Sequence, residues 1–314
     1  MRVVVTGGSG RLGQSVVRGL CEAGHDVTSI DREGVAGLPG TQLQADLTDA
    51  DATRTLFIAI APEAVVHLAA ISVPFSAPEA TILNVNTALA FSVVDAAVAS
   101  GARLVLAASS PTVLGYGNPK GWAPRFLPLD ETHPIEPWNA YALSKQVIEN
   151  VVERFVRNSD NVTFGVFRPC FVIPPEEWAG APTQQGHTVA DRLDDPSLAA
   201  VSLFNYLDAR DAAEFVRVWL ERAEFAPNGS VFFVGAADAL AREPLAELIP
   251  RYLPEASGLA AGLTGSSPAF SSAKARELLG WEPRYSWRTE LVQEAPEARA
   301  EPDPSSLPTE VRVS

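Results

Sequence analysis

The chain has 314 residues, 46% hydrophobic and 20% charged. This is ordinary globular usage, which excludes a wholly disordered chain, a collagen and a coiled coil and leaves room for one large or two small domains. Lys and Arg number 24 against 38 Asp and Glu, so the net charge is −14, and nucleic acid and anionic membrane are poor partners for so acidic a surface. Cys21 and Cys170 lie far apart, and His25, His67, His133 and His187 share no ligand spacing, so neither a disulfide framework nor a metal site is expected. The N-terminus carries no secretory h-region and no apolar run approaches the ~20 residues of a membrane span, which predicts a cytoplasmic protein.

Val3-Val4-Val5 is a continuous β-branched run, suited to a strand buried on both faces of a parallel sheet. It enters Thr6-Gly7-Gly8-Ser9-Gly10-Arg11-Leu12-Gly13, after which Leu12, Val16 and Leu20 recur at helical spacing up to Gly24. Asp26–Ile30 is the next strand, ending at Asp31. The spacing then predicts a strand over Leu43–Leu47, a helix over Asp49–Ile60 capped from Thr48 or Asp49, and a strand over Ala64–Leu68. A long helix is expected over Pro78–Ser100, a strand over Arg103–Ala107, a second long helix over Trp138–Arg157 and a strand over Val162–Phe167. This alternation predicts an α/β fold, a Rossmann-type doubly wound parallel sheet with right-handed crossovers. After Arg168, prolines and glycines break up 174–190; Val201–Leu207 and Val231–Val234 read as strands, and 209–223, 243–252 and 271–279 as helices. The expected organisation is a dinucleotide-binding domain over 1–170, with part of 201–235 returning to it. A small α/β substrate-binding cap over 171–290 and a disordered tail over 291–314 complete it.

The first unit is built for phosphate. Gly7, Gly10 and Gly13 permit a tight turn, a close approach of backbone to a pyrophosphate, and close helix–sheet packing, while the helix N-terminus offers free N–H groups. Asp31 stands where a carboxylate accepts from the adenosine-ribose hydroxyls and repels a 2′-phosphate, which favours NAD; Arg32 is its neighbour. Tyr141 and Lys145 lie four residues apart inside the second long helix, so phenol and ammonium share one face. A nearby cation favours phenolate, and a phenol so tuned can exchange a proton with an alcohol. Ser109 and Ser110 follow the 103–107 strand, at the sheet edge where a substrate oxygen would lie.

With these pieces placed, the chain resembles the extended short-chain dehydrogenase/reductase family, also called the NAD-dependent epimerase/dehydratase family, over about residues 1–290. The resemblance implies an NAD enzyme with a Ser110–Tyr141–Lys145 triad. It implies cofactor contacts from Gly7, Gly10, Arg11, Leu12 and Gly13 and from the Asp46-Leu47 pair. Leu68, Ala69 and Ala70 of the loop after His67, Asn86, Tyr141, Lys145 and the Arg168-Pro169 segment add to them. It also implies a homodimer through the helices near 78–100 and 138–157. Two positions depart from the nucleotide-sugar epimerases: Phe171 and, approximately, Phe204 stand where those relatives hold polar diphosphate ligands. The uronate dehydrogenases fit no better, since Pro111-Thr112 replaces their Asn-His. The expected substrate pocket is therefore rather apolar, with Ser72, Phe75, Ser109, Ser110, Phe171, Trp178 and Asn205 around it. The leading expectation is net hydride transfer at a secondary alcohol or ketone of a sugar-like or polyol substrate. An epimerase or dehydratase retaining NAD is the alternative, and a non-catalytic dinucleotide-binding protein the third.

Overall fold

The computed structural model describes residues 1–291, so the expected tail lies, from residue 292 onward, outside the described residues. Strands β1 (Arg2–Thr6), β2 (Asp26–Asp31), β3 (Thr41–Gln44), β4 (Ala64–His67), β5 (Leu104–Ala108) and β6 (Thr163–Pro169) alternate with helices α1 (Arg11–Glu22), α2 (Ala50–Ile60), α3 (Glu79–Ala99) and α4 (Ala140–Val156). There follow β7 (Val172–Ile173), α5 (Pro175–Trp178), α6 (Val189–Asp194), α7 (Ser197–Ala200), β8 (Leu207–Asp208), α8 (Ala209–Arg222) and β9 (Ser230–Val234). The last helices are α9 (Leu245–Tyr252), α10 (Ser257–Ala260), α11 (Ala273–Leu279) and α12 (Trp287–Glu290).

Seven strands form one sheet in the order β3-β2-β1-β4-β5-β6-β9, with every neighbour parallel. The order reverses between β1 and β4, which opens a crevice at their carboxyl ends. The strand pattern explains the two-sided burial. Val3 and Val5 face α1 and α8 and join Leu20, Phe215 and Trp219, whereas Val4 faces the other way and joins Phe57, Val93 and Phe164 beneath α2, α3 and α4. Trp219 lies so close on β6 that a Cβ at Gly165 would stand 2.5 Å from its indole nitrogen. Strand β9 pairs in parallel with β6 at the edge of the main sheet.

Three local expectations are corrected. The third strand spans Thr41–Gln44 rather than 43–47, because Asp46 turns the chain by accepting from the Thr48 amide at 3.0 Å and its hydroxyl at 2.7 Å. The expected strand at 201–207 shrinks to Leu207–Asp208; Leu203 and Phe204 have φ of 53° and 58°, which is incompatible with a strand. Finally, α3 is long and apolar enough, by length and composition, to cross a membrane, against the expectation that no run reaches that length. Its buried side chains, among them Leu89, Val93 and Val94, pack on the sheet between α2 and α4 as those of a core helix do.

Candidate active site

The crevice between β1 and β4 is a cleft of about 490 Å³ lined by Gly7, Gly10, Arg11, Asp31, Arg32, Asp46, Leu47 and residues 68–72. Its shape follows from the glycines. Gly7 has φ +75°, and a Cβ there would stand 2.6 Å from the Ala69 nitrogen; one at Gly13 would stand 2.0 Å from the Gly7 carbonyl oxygen. The turn therefore lies flat against the 68–70 loop and α1 starts against the turn. Gly10 caps α1 with no side chain of its own, so the first N–H groups of the helix face the cleft unclaimed, as an anion needs. Asp31 closes the far end, its two oxygens held by the amides of Ser9 at 3.1 Å and Arg32 at 2.7 Å. This glycine cradle, open helix end and terminal carboxylate fit an adenine dinucleotide.

The second set of residues stands where β5 and α4 meet. Asn139 caps α4 by accepting from the Ala142 amide at 2.9 Å, which fixes the first turn carrying Tyr141. One turn on, Lys145 donates to the Ala108 carbonyl at 2.9 Å, and its Nζ lies 5.7 Å from the Tyr141 ring centre. Ser110 follows β5 and accepts from both the amide (3.2 Å) and the hydroxyl (2.9 Å) of Thr112, which leaves its own O–H proton free to donate. Burial pushes the Tyr141 phenol up to about 12, with the Ser110 hydroxyl pulling the other way. Burial alone brings the Lys145 ammonium down to about 8. Asn86, fully buried on α3, ties this corner together. Its amide donates to the Ser144 hydroxyl at 3.0 Å, and its carbonyl accepts from the Ile71 amide at 2.7 Å, so α4 and the 68–72 loop move as one. His67 is bonded to the Thr6 hydroxyl at 2.8 Å, and burial lowers it to about 3; it is a neutral loop support.

A second cavity, of about 440 Å³, adjoins the first through Ser72, which lines both. Phe75, Ser110, Tyr141, Phe171 and Asn205 lie on its wall. Seven expected site residues line neither cavity, Asn86 and Lys145 of the corner just described among them. Ser109 is buried and donates to the Glu149 carboxylate at 2.6 Å. Arg168 forms a two-pronged pair with Glu149, both contacts at 2.8 Å, so only the adjoining Pro169-Cys170 segment reaches the cavity. Trp178 donates to Asp208 at 2.7 Å and packs on Tyr206. Leu12 packs against the core, and Gly13 acts by admitting α1 rather than by lining the cleft. Phe204 is likewise buried, stacked edge-on against Tyr252. The sequence reading missed Thr112, Tyr116, Trp138, Gln184 and Gln185, which complete the wall. Thr112 sits in a single 3-10 turn (Pro111–Leu114) and the other four on irregular loops, none with a periodicity that marks it in the sequence. Cys170 also lines the wall, but burial pushes its thiol up and no base adjoins it, so it is inert.

The fold and the crevice define a dinucleotide-binding enzyme of the short-chain dehydrogenase/reductase type. Residues 3–235 match the model of the NAD dependent epimerase/dehydratase family, and the chain belongs to that family, with NAD as its cofactor. It is 25% identical to a UDP-glucose 4-epimerase of Corynebacterium glutamicum over 329 aligned positions, covering 94% of each chain. Among solved structures, it is similar to a UDP-glucose 4-epimerase from Thermotoga maritima with UDP-glucose (21% identity, 93% and 96% coverage, TM-score 0.69). A short-chain dehydrogenase/reductase superfamily protein of Agrobacterium tumefaciens with bound NAD is also similar (23% identity, 93% and 95% coverage, TM-score 0.67).

Proposed function

We propose that the chain is an epimerase of a nucleotide-linked sugar that keeps its NAD through the catalytic cycle. What carries this reading is the end-to-end likeness to UDP-glucose 4-epimerases, together with a proton-handling corner where the two cavities meet. Net dehydrogenation, the leading expectation from sequence, is less well supported than its alternative: the relatives are epimerases, and Phe204, one of its two supports, lies off the cavity.

Bound NAD supplies the reversible redox partner for the carbinol carbon. The chain's own residues handle the oxygen. Ser110 donates its free O–H to the substrate oxygen, and Tyr141 takes and returns the hydroxyl proton. Lys145, pinned by Ala108, holds a positive charge beside the ring and so favours phenolate. Residues 171–290, apart from β9 and the helix leading to it, serve as the substrate-binding cap. The outer face of α3 and α4, which exposes Phe91 and Leu143, serves as a homodimer interface.

The test is purification followed by two measurements. Expected are NAD released on denaturation, and interconversion of UDP-glucose and UDP-galactose by NMR without accumulation of NADH absorbance. Stoichiometric NADH on addition of a sugar or polyol would reinstate the dehydrogenase.

A further inference from the structure

Arg192, on α6, is among the largest fully buried side chains of the protein, yet among the described residues no carboxylate hydrogen-bonds to it. Nη1 donates to the Gln185 side-chain oxygen at 2.8 Å and to His187 Nε2 at 3.1 Å, and Nη2 donates to the Ser202 hydroxyl at 3.1 Å. Nε has no partner. All three acceptors are neutral groups; the field of Glu177 reaches Arg192 only from beyond hydrogen-bond range, and that carboxylate is itself paired with Arg11. The guanidinium carbon sits 4.2 Å from the centre of the Phe171 ring. Burial lowers Arg192 to about 10, so it stays charged at neutral pH.

A buried cation whose hydrogen bonds all go to neutral groups is costly, and an anion bound nearby would offset that cost. The ligand's place is indicated by the partners, since Gln185, Ser202 and Phe171 all line the second cavity. Arginine has donors only, so the Gln185 atom it binds is the carbonyl oxygen, and the amide NH₂ is left for the cavity. The wall thus presents N–H donors backed by a full positive charge. The other nearby arginines are committed: Arg210 to Asp208 and Glu290, Arg168 to Glu149.

We propose that Arg192 is the specificity-determining cation of the substrate cavity, acting through the Gln185 amide to hold an anionic group, phosphoryl or carboxylate, of the substrate, while Ser202, whose own proton goes to the Ala199 carbonyl at 3.0 Å, only steadies the guanidinium. The loss of a polar group at Phe171 is then compensated from behind the ring rather than being a sign of a neutral substrate. This rests on reading the second cavity as the substrate site.

The experiment compares uridine with UDP and glucose with glucuronate on the NAD-loaded protein by calorimetry, for wild type, Arg192→Met and Gln185→Glu. Wild type is expected to bind one anionic member at least tenfold tighter than its neutral counterpart: UDP if the group is phosphoryl, glucuronate if it is carboxylate. Both variants are expected to lose that preference. Gln185→Glu supplies a carboxylate that pairs with Arg192 in place, so its thermal midpoint stays level or rises, which separates loss of anion binding from loss of fold. An anion preference absent from wild type, or intact in Gln185→Glu, overturns the proposal. Epimerisation of a UDP-hexose with KM unmoved in both variants sinks this inference and leaves the epimerase standing. Arg192-dependent anion binding without turnover does the reverse.

Discussion

Tyr141 and Lys145 are pushed towards neutrality from opposite sides, the phenol up to about 12 and the ammonium down to about 8. Without charge from the cofactor the phenol is therefore protonated across the neutral range, and its activation depends on what stands around it. Tyr141→Phe is expected to lower kcat by ~10²–10⁴-fold, the usual weight of one proton-transfer group, while bound NAD per subunit stays unchanged because the ring remains. Rapid-quench turnover and cofactor extraction check the two halves. This pair was legible in the sequence because i and i+4 share a helical face whatever the fold does around them. Ser109, Arg168 and Trp178 were not. Each has chemistry suited to a site, but each is turned inward by a partner distant in sequence, Glu149 or Asp208, and no local pattern encodes such a partner.

Between β1 and α1 the glycines differ in what they permit, and substitution should show it. An added methyl at Gly13 would meet the Gly7 carbonyl oxygen at 2.0 Å and the Gly8 Cα at 2.7 Å, both backbone, whereas at Gly10 it meets the Gly7 carbonyl oxygen at 3.3 Å. Gly13→Ala should thus lift α1 off the turn, costing about 1–3 kcal/mol in stability and at least tenfold in NAD affinity; Gly10→Ala should be milder on both. Thermal melts with and without NAD decide it. Farther along the chain, Asp211 on α8 accepts from the amides of Arg284 at 2.9 Å and Tyr285 at 3.0 Å, fastening the segment after α11 to α8. Burial raises its carboxyl from 3.8 to about 6, so the folded state holds this proton more tightly than the unfolded one. That contribution is whole below pH 3.8 and is lost as pH rises through about 6. Replacing Asp211 by Asn removes the titration, so the midpoint of Asp211→Asn relative to wild type should climb between pH 4 and pH 7. A flat difference would contradict the assignment. The elements themselves were legible wherever apolar spacing was regular, as along α1, α2 and α8. The 201–204 stretch misled because Val201 and Leu203 flank Ser202 as alternate residues of a strand do, while the chain there turns with positive φ to bring Ser202 and Asn205 to the cavity.

At the scale of the molecule, the arrangement places both halves of the chemistry on the same helical layer. Helix α4 carries Tyr141 and Lys145 on its inner face, and α3 carries Asn86, which joins that corner to the cofactor loop. The outer faces of the same two helices present Phe91, 47% exposed, and Leu143, 39% exposed, among otherwise small or half-buried residues. Arg154 lies over Phe155, 4.4 Å from its ring centre, and flanks Phe91 at 6.0 Å. The homodimer proposed above would bury this apolar stripe behind its polar margin, on a chain whose net charge of −14 otherwise repels its own kind. In a two-fold dimer each added charge appears twice near the axis, so Phe91→Glu sets two carboxylates against each other where two rings would meet. The expected outcome is a shift in sedimentation velocity from a dimer to the 33.4 kDa monomer, with far-ultraviolet dichroism unchanged because the side chain is on the surface. A wild-type protein that already sediments as a monomer would remove the interface. A dimer in which Phe91→Glu changes nothing would move it elsewhere, and α4 would then owe its order to the sheet and to Asn86 alone.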